Sequence, residues 1–167
     1  GQWGLFNNST STFTGGVQIT DGVVRLGSAT ALGTGPVVVD DGATLDLYGQ
    51  TLTTSNSLTL NGLGDGGPIG ALVNSSATPA VFPGLLALGS NTSVVAQTGS
   101  IRLSNPGVIA GNGYTLILGG LVGGQVDGAM NGAGGVTKEG SGTWLLTGAN
   151  TYTGTTRVNA GTLTVTG

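Results

Sequence analysis

Apolar and polar residues alternate with a period of two in short runs along this chain, and residues that tolerate left-handed backbone angles close most of the runs. The pattern is clearest in 135–167, where the runs 142–147, 155–159 and 162–166 are rich in Thr, Val, Leu and Trp and are separated by Gly or Asn-Ala-Gly. Each run predicts a strand and each break a turn. In 43–48, Leu45 and Leu47 share one face while Thr44, Asp46 and Tyr48 share the other, which predicts a dry side and a wet side. Leu58 and Leu60 repeat the pattern with Thr59 outward. Further strands are expected at 37–39, 84–88, 93–96, 100–104, 114–118 and 121–122. The stretch 63–83, with three Pro and a polar patch at Asn74-Ser75-Ser76, reads as an irregular loop between coils.

The pattern also repeats. Residues 12–27 align without gaps on 151–166, so that Phe13 falls on Tyr152, Gly15 on Gly154, Ile19 on Val158, Gly22 on Gly161 and Leu26 on Val165. The chain ends with the kind of unit it begins with. We read one domain over 1–167, with repeat units at about 1–62 and 131–167. Two architectures use such short strands, a coil of parallel strands stacked on themselves and a Gly-rich β-sandwich of hairpins. Hairpins favour two-residue reversing turns. Here the corners hold one to three residues and the apolar face persists through them, which predicts a parallel β-helix, at about 20 residues a turn some eight coils.

Composition narrows the function. The 167 residues include 35 Gly and only 7% charged side chains, so amphipathic helices are disfavoured. With neither Cys nor His, disulfides, thiolate metal sites, cysteine nucleophiles and histidine bases are all excluded. No apolar run reaches the roughly 18 residues that span a bilayer as a helix. A net charge of −3, with Arg25, Arg102, Lys138 and Arg157 as the cations, gives no basic stripe for nucleic acid or an anionic membrane.

The C-terminal residues resemble a known family. Gly134-Gly135-Val136-Thr137-Lys138, Gly142-Thr143-Trp144-Leu145-Leu146, Gly148-Ala149-Asn150-Thr151-Tyr152-Thr153-Gly154 and Asn159-Ala160-Gly161-Thr162-Leu163 follow the pattern of the passenger-associated β-strand repeat of secreted autotransporter passenger domains. The resemblance implies a right-handed parallel β-helix at the bacterial surface or outside the cell. It implies a noncatalytic stalk serving adhesion, aggregation or display.

Candidate chemistry is sparse. Asp40-Asp41-Gly42, with Asp46 nearby, is the one carboxylate cluster; it suits Ca²⁺ or paired acid-base work on a polysaccharide, and more simply a solvated turn that Asp caps itself. Asp65-Gly66-Gly67 and Gly132, Gly134 and Gly135 lack the spacing of a phosphate loop and read as turns. Lys138-Glu139 reads as a solvated surface pair. Phe13, Tyr48, Trp144 and Tyr152 suit a sugar platform, or more simply packing between coils. Asn7, Asn8, Asn74 and Asn91 begin Asn-x-Ser/Thr sequences of the kind expected by chance.

We therefore assign no catalytic, cofactor or metal residues and expect no cofactor. The alternatives are a fibre subunit polymerising by head-to-tail stacking and a carbohydrate-active, pectin-lyase-like β-helix enzyme, for which four cations are few. The expected partners are neighbouring coils of a longer chain or a second copy of this one. A host-surface or glycan ligand is left open, with no nucleic acid and no membrane contact in this segment. Uncharged apolar residues near both ends, Trp3, Leu5 and Phe6 at one and 162–167 at the other, motivate the stacking.

Overall fold

The computed structural model describes residues 10–66 and 69–167 together with the backbone of 2–5. Phe6, Asn7 and Asn8, and the side chains of Trp3 and Leu5, lie outside the described residues.

Period-two patterning with left-handed corners has folded into an all-β solenoid whose strands pair only in parallel among the described residues. Three ladders form its faces; the first runs from β1 to β17, the second ends at residue 131 and the third begins at residue 80. The first face stacks β1 (Gln2–Leu5), β3 (Gly22–Leu26), β5 (Ala43–Asp46), β7 (Leu72–Asn74), the end of β9 (Leu86–Ala96), β12 (Leu116–Gly120), β15 (Val136–Lys138) and β17 (Thr156–Val158). The second stacks β2 (Val17–Ile19), β4 (Val37–Val39), β6 (Leu58–Gly62), the start of β9, β11 (Ile109–Ala110) and β14 (Met130–Asn131). The third stacks β8 (Ala80–Phe82), β10 (Ile101–Leu103), β13 (Gly123–Val126), β16 (Thr143–Leu146) and β18 (Thr162–Val165). From β6 to β16 the chain visits the second face, then the first, then the third, and begins again. Parallel pairing excludes the hairpin sandwich.

Pairing on the first face links Trp3, Val24, Leu45, Leu72, Val94, Leu118, Lys138 and Val158 in sequence, so successive steps are 21, 21, 27, 22, 24, 20 and 20 residues. Eight strand layers thus bound about seven turns rather than eight coils. At about 4.8 Å a layer the axis is roughly 34 Å long. The 27-residue step marks the insertion. The irregular loop expected over 63–83 shrinks to 63–70, because β7 continues the first face and β8 begins the third. Leu121 and Val122, expected as strand, form an exposed corner, and β13 begins just after them.

The interior is filled from all three faces. Leu45, Leu72, Val94 and Leu118 stack from the first; Val37, Val39, Leu58, Leu60, Leu86 and Leu88 from the second; Phe82, Ile101, Leu103, Trp144 and Leu146 from the third. Trp144 fits because the rung above it carries Gly124, whose missing side chain leaves room for the indole.

The aligned copies 12–27 and 151–166 do not occupy equivalent places. Residues 17–26 turn from the second face to the first, whereas 156–165 turn from the first to the third. What the copies share is a strand, a corner and a strand, pivoting on Gly22 at φ 70° and Gly161 at φ 67°. A left-handed residue is required there, and Gly supplies it without strain.

Candidate functional site

The carboxylates nominated by the sequence do not converge. Asp40 accepts from Gln18 Nε2 at 2.9 Å at the exposed corner between the second and first faces. Asp46 lies on the outer side of β5 and is buried, at 1% exposure, which overturns its expected wet setting. It accepts from Arg25 Nε at 2.9 Å, from Ser75 Oγ at 2.6 Å, and from the backbone N–H groups of Tyr48 at 3.0 Å and Ser75 at 3.2 Å. A carboxylate so fully engaged has no capacity left for acid-base work. Tyr48 lies over the Arg25 guanidinium, 4.5 Å from ring centroid to Cζ, and completes the cluster. Among the described residues no three His, Cys, Asp or Glu are grouped to hold a metal ion.

Thr44, also expected outside in water, is fully buried. Its hydroxyl donates to Gly70 O at 2.9 Å and accepts from Asp65 N–H at 2.9 Å, while Ser93 Oγ donates to Leu63 O at 3.2 Å. Leu63, Asp65 and Gly70 therefore lie across the outer side of the first face. Asp65, a candidate for a phosphate loop, instead anchors this cover through its backbone. Gly154 N–H donates to Gly134 O at 3.0 Å in an ordinary contact between rungs.

Lys138 corrects a second expectation. It occupies the inward column below Leu118 and is fully buried, not solvated. Its ammonium donates to the carbonyls of Glu139, Gly140 at 2.8 Å and Ala160 at 3.3 Å, tying one rung to the next at the corner. Burial pulls its pKa below the usual lysine value, and the Glu139 charge opposes that shift only in part. The Glu139 carboxylate turns away to accept from Asn159 Nδ2 at 2.5 Å.

The four aromatic candidates are dispersed. Trp144 is buried with its indole N–H on Gly119 O at 3.0 Å, Tyr152 shares a hydrogen bond with Thr156 Oγ1 at 2.6 Å, and Phe13 and Tyr48 are exposed in different settings. Packing, not a sugar platform, describes Trp144. Asn74 is equally unsuited to glycosylation: buried, it donates to Thr78 O at 2.8 Å and Ser100 O at 3.0 Å and accepts from Gly49 N–H at 2.9 Å. Asn91 is exposed and accepts from Thr115 N–H at 2.8 Å.

One cluster escaped the sequence reading. Asp127 accepts from Arg102 Nε at 2.9 Å, Gln125 Nε2 at 2.5 Å and Thr147 Oγ1 at 3.3 Å. Burial raises its pKa, but these hydrogen bonds and the Arg102 charge outweigh that and hold it below the usual carboxylate range. The available signal was spacing, since Arg102 precedes Asp127 by 25 residues and Arg25 precedes Asp46 by 21, one rung in each case. These polar clusters bind rung to rung.

The family model described as passenger-associated-transport-repeat matches residues 5–26 and 136–165. The chain is 38% identical over 125 residues, 69% of its length, to the adhesin BmaC autotransporter of Brucella suis biovar 1 (strain 1330), and spans 3% of that relative's length. No solved structure matches. The parallel solenoid thus carries, at both ends, the passenger-associated-transport-repeat of autotransporter proteins.

Proposed function

We propose that the chain is a noncatalytic structural segment of a secreted or surface-displayed bacterial protein, a length of autotransporter passenger stalk that serves adhesion, aggregation or display. The observation that carries this reading is the commitment of the buried Asp46 and Lys138, and of the part-buried Asp127, to joining rungs: each bridges successive turns. Such groups stiffen a rod and leave little for turnover. The adhesin relative supports the surface role.

The test is to display the chain on a bacterial surface between a membrane anchor and an epitope tag. The tag should stand about 34 Å farther from the membrane, by energy transfer to a membrane dye, and the cells should clump or adhere more than cells with the anchor alone. Unchanged tag height would overturn the rod, and cleavage of polysaccharide that is lost in Asp40→Asn or Asp41→Asn would restore the enzyme reading.

A second reading, the fibre subunit polymerising by head-to-tail stacking, draws on the repeat shared by 12–27 and 151–166. Because the two repeat copies sit on different faces, stacking that continued the repeat would turn each copy by one face relative to the last. Sedimentation that stays monomeric across concentration would eliminate this reading.

A further inference from the structure

The dipeptide Asn-Gly occurs at 61–62, 112–113 and 131–132, each time as the chain leaves the second face. Its chemistry is particular. A glycine nitrogen, with no side chain beside it, can reach the amide carbon of the asparagine that precedes it. The fold treats the three copies differently.

Two of them are held. Asn61 Nδ2 donates to Val39 O at 2.9 Å and Asn112 Nδ2 donates to Leu88 O at 2.9 Å, so each amide is drawn back onto the preceding rung. Gly62 is further confined by the Asp41 carboxyl group packed against it. Asn131 is the exception. It follows the buried Met130 on β14 and so faces outward, exposed, and its side-chain amide makes no hydrogen bond among the described residues. The space beside it is open as well, since a Cβ on Gly132 would meet nothing nearer than Asn112 N at 3.4 Å.

We propose that Asn131-Gly132 is a self-modification site, where the unheld amide cyclises on the following nitrogen while Asn61 and Asn112 are protected by the rungs above them. The Gly132 nitrogen gives up its proton and bonds to Asn131 Cγ, the Cγ–Nδ2 bond breaks, and the amide nitrogen leaves as ammonia with that proton, closing a succinimide. Water then opens the ring. Addition at Cγ leaves aspartate, and addition at the backbone carbonyl leaves isoaspartate, whose main chain runs through Cβ and Cγ and is longer by one carbon. That lengthening falls where β14 pairs with Ala110 on one side and Gly132 O accepts from Thr153 N–H at 2.9 Å on the other. Isoaspartate therefore loosens the rung that follows.

The full chain is aged in mildly alkaline buffer, once folded and once fully denatured in guanidinium, and digests are read by fragmentation mass spectrometry. Each conversion adds about 1 Da, and the backbone fragments separate isoaspartate from aspartate. In the folded chain Asn131 should convert at least about ten-fold faster than Asn61 or Asn112, whose amides must first break a hydrogen bond. In guanidinium the three rates should converge. Asn131→Gln should remove the fast conversion, and aged wild type should exchange the Thr153 amide hydrogen faster than fresh Asn131→Asp, which carries the charge without the longer backbone. Folded-state conversion no faster at Asn131 than at the other two would overturn the site. A preference that persists in guanidinium would do the same, because it would belong to the neighbouring residues and not to the fold. Isoaspartate formed without faster exchange at Thr153 would overturn the loosening.

Discussion

Lys138 shows how far one side chain can depart from the expectation its chemistry raises. A lysine beside a glutamate in a Gly-rich corner ordinarily extends into water, yet period two along β15 makes Lys138 inward with Val136. Its ammonium reaches three carbonyls at the corner, which is why the interior tolerates it. Lys138→Met keeps the apolar stem but orphans those acceptors, a loss of about 1–3 kcal/mol. The pH dependence follows from the direction of the shift. Burial lowers the folded pKa below the unfolded value of 10.5, so between the two the unfolded chain holds more protons and the contribution of Lys138 to stability rises with pH. Denaturant titrations should therefore show wild type gaining on Lys138→Met as pH is raised toward 10.5. A gap that stays constant or narrows would contradict the burial.

At the scale of elements, the loop 63–70 changes what a strand face means. The alternation in β5 correctly separates Leu45 and Leu47 from Thr44 and Asp46, but Asp65 and Gly70 close over Thr44, and Arg25, Tyr48 and Ser75 enclose Asp46. Thr44→Val is close in shape yet strips both Gly70 O and Asp65 N–H of their partner; it should cost about 1–3 kcal/mol, measured by chemical denaturation, where a wet threonine would give almost nothing. Leu45→Ala should cost about 2–5 kcal/mol through its cavity. Strand positions and the parallel architecture were legible in the sequence because period-two alternation and left-handed corners are local signals. Rung phase was not: the alignment of 12–27 on 151–166 reports a corner pivoting on Gly22 or Gly161, and the same corner serves different faces. The cover over Thr44 was likewise invisible, since Gly and Pro in 63–70 announce a loop without saying where it lies.

For the whole molecule, the unequal rung lengths have a consequence under load. Backbone hydrogen bonds between parallel strands point from layer to layer, along the axis of the rod, so tension applied between its two ends peels the outermost turn without straining the turns behind it. Each detached turn frees its residues at about 3.3 Å apiece, which makes 20 residues worth roughly 66 Å and the 27-residue step worth roughly 89 Å. Pulled in an optical trap, the chain should lengthen in a ladder of small jumps with one conspicuously long jump, not in a single rupture of the whole domain. A single rupture would mean that the three faces share force across all turns. If the jumps appear, the molecule is an extensible tether, able to lose its end turns under drag and rewind them when the drag falls.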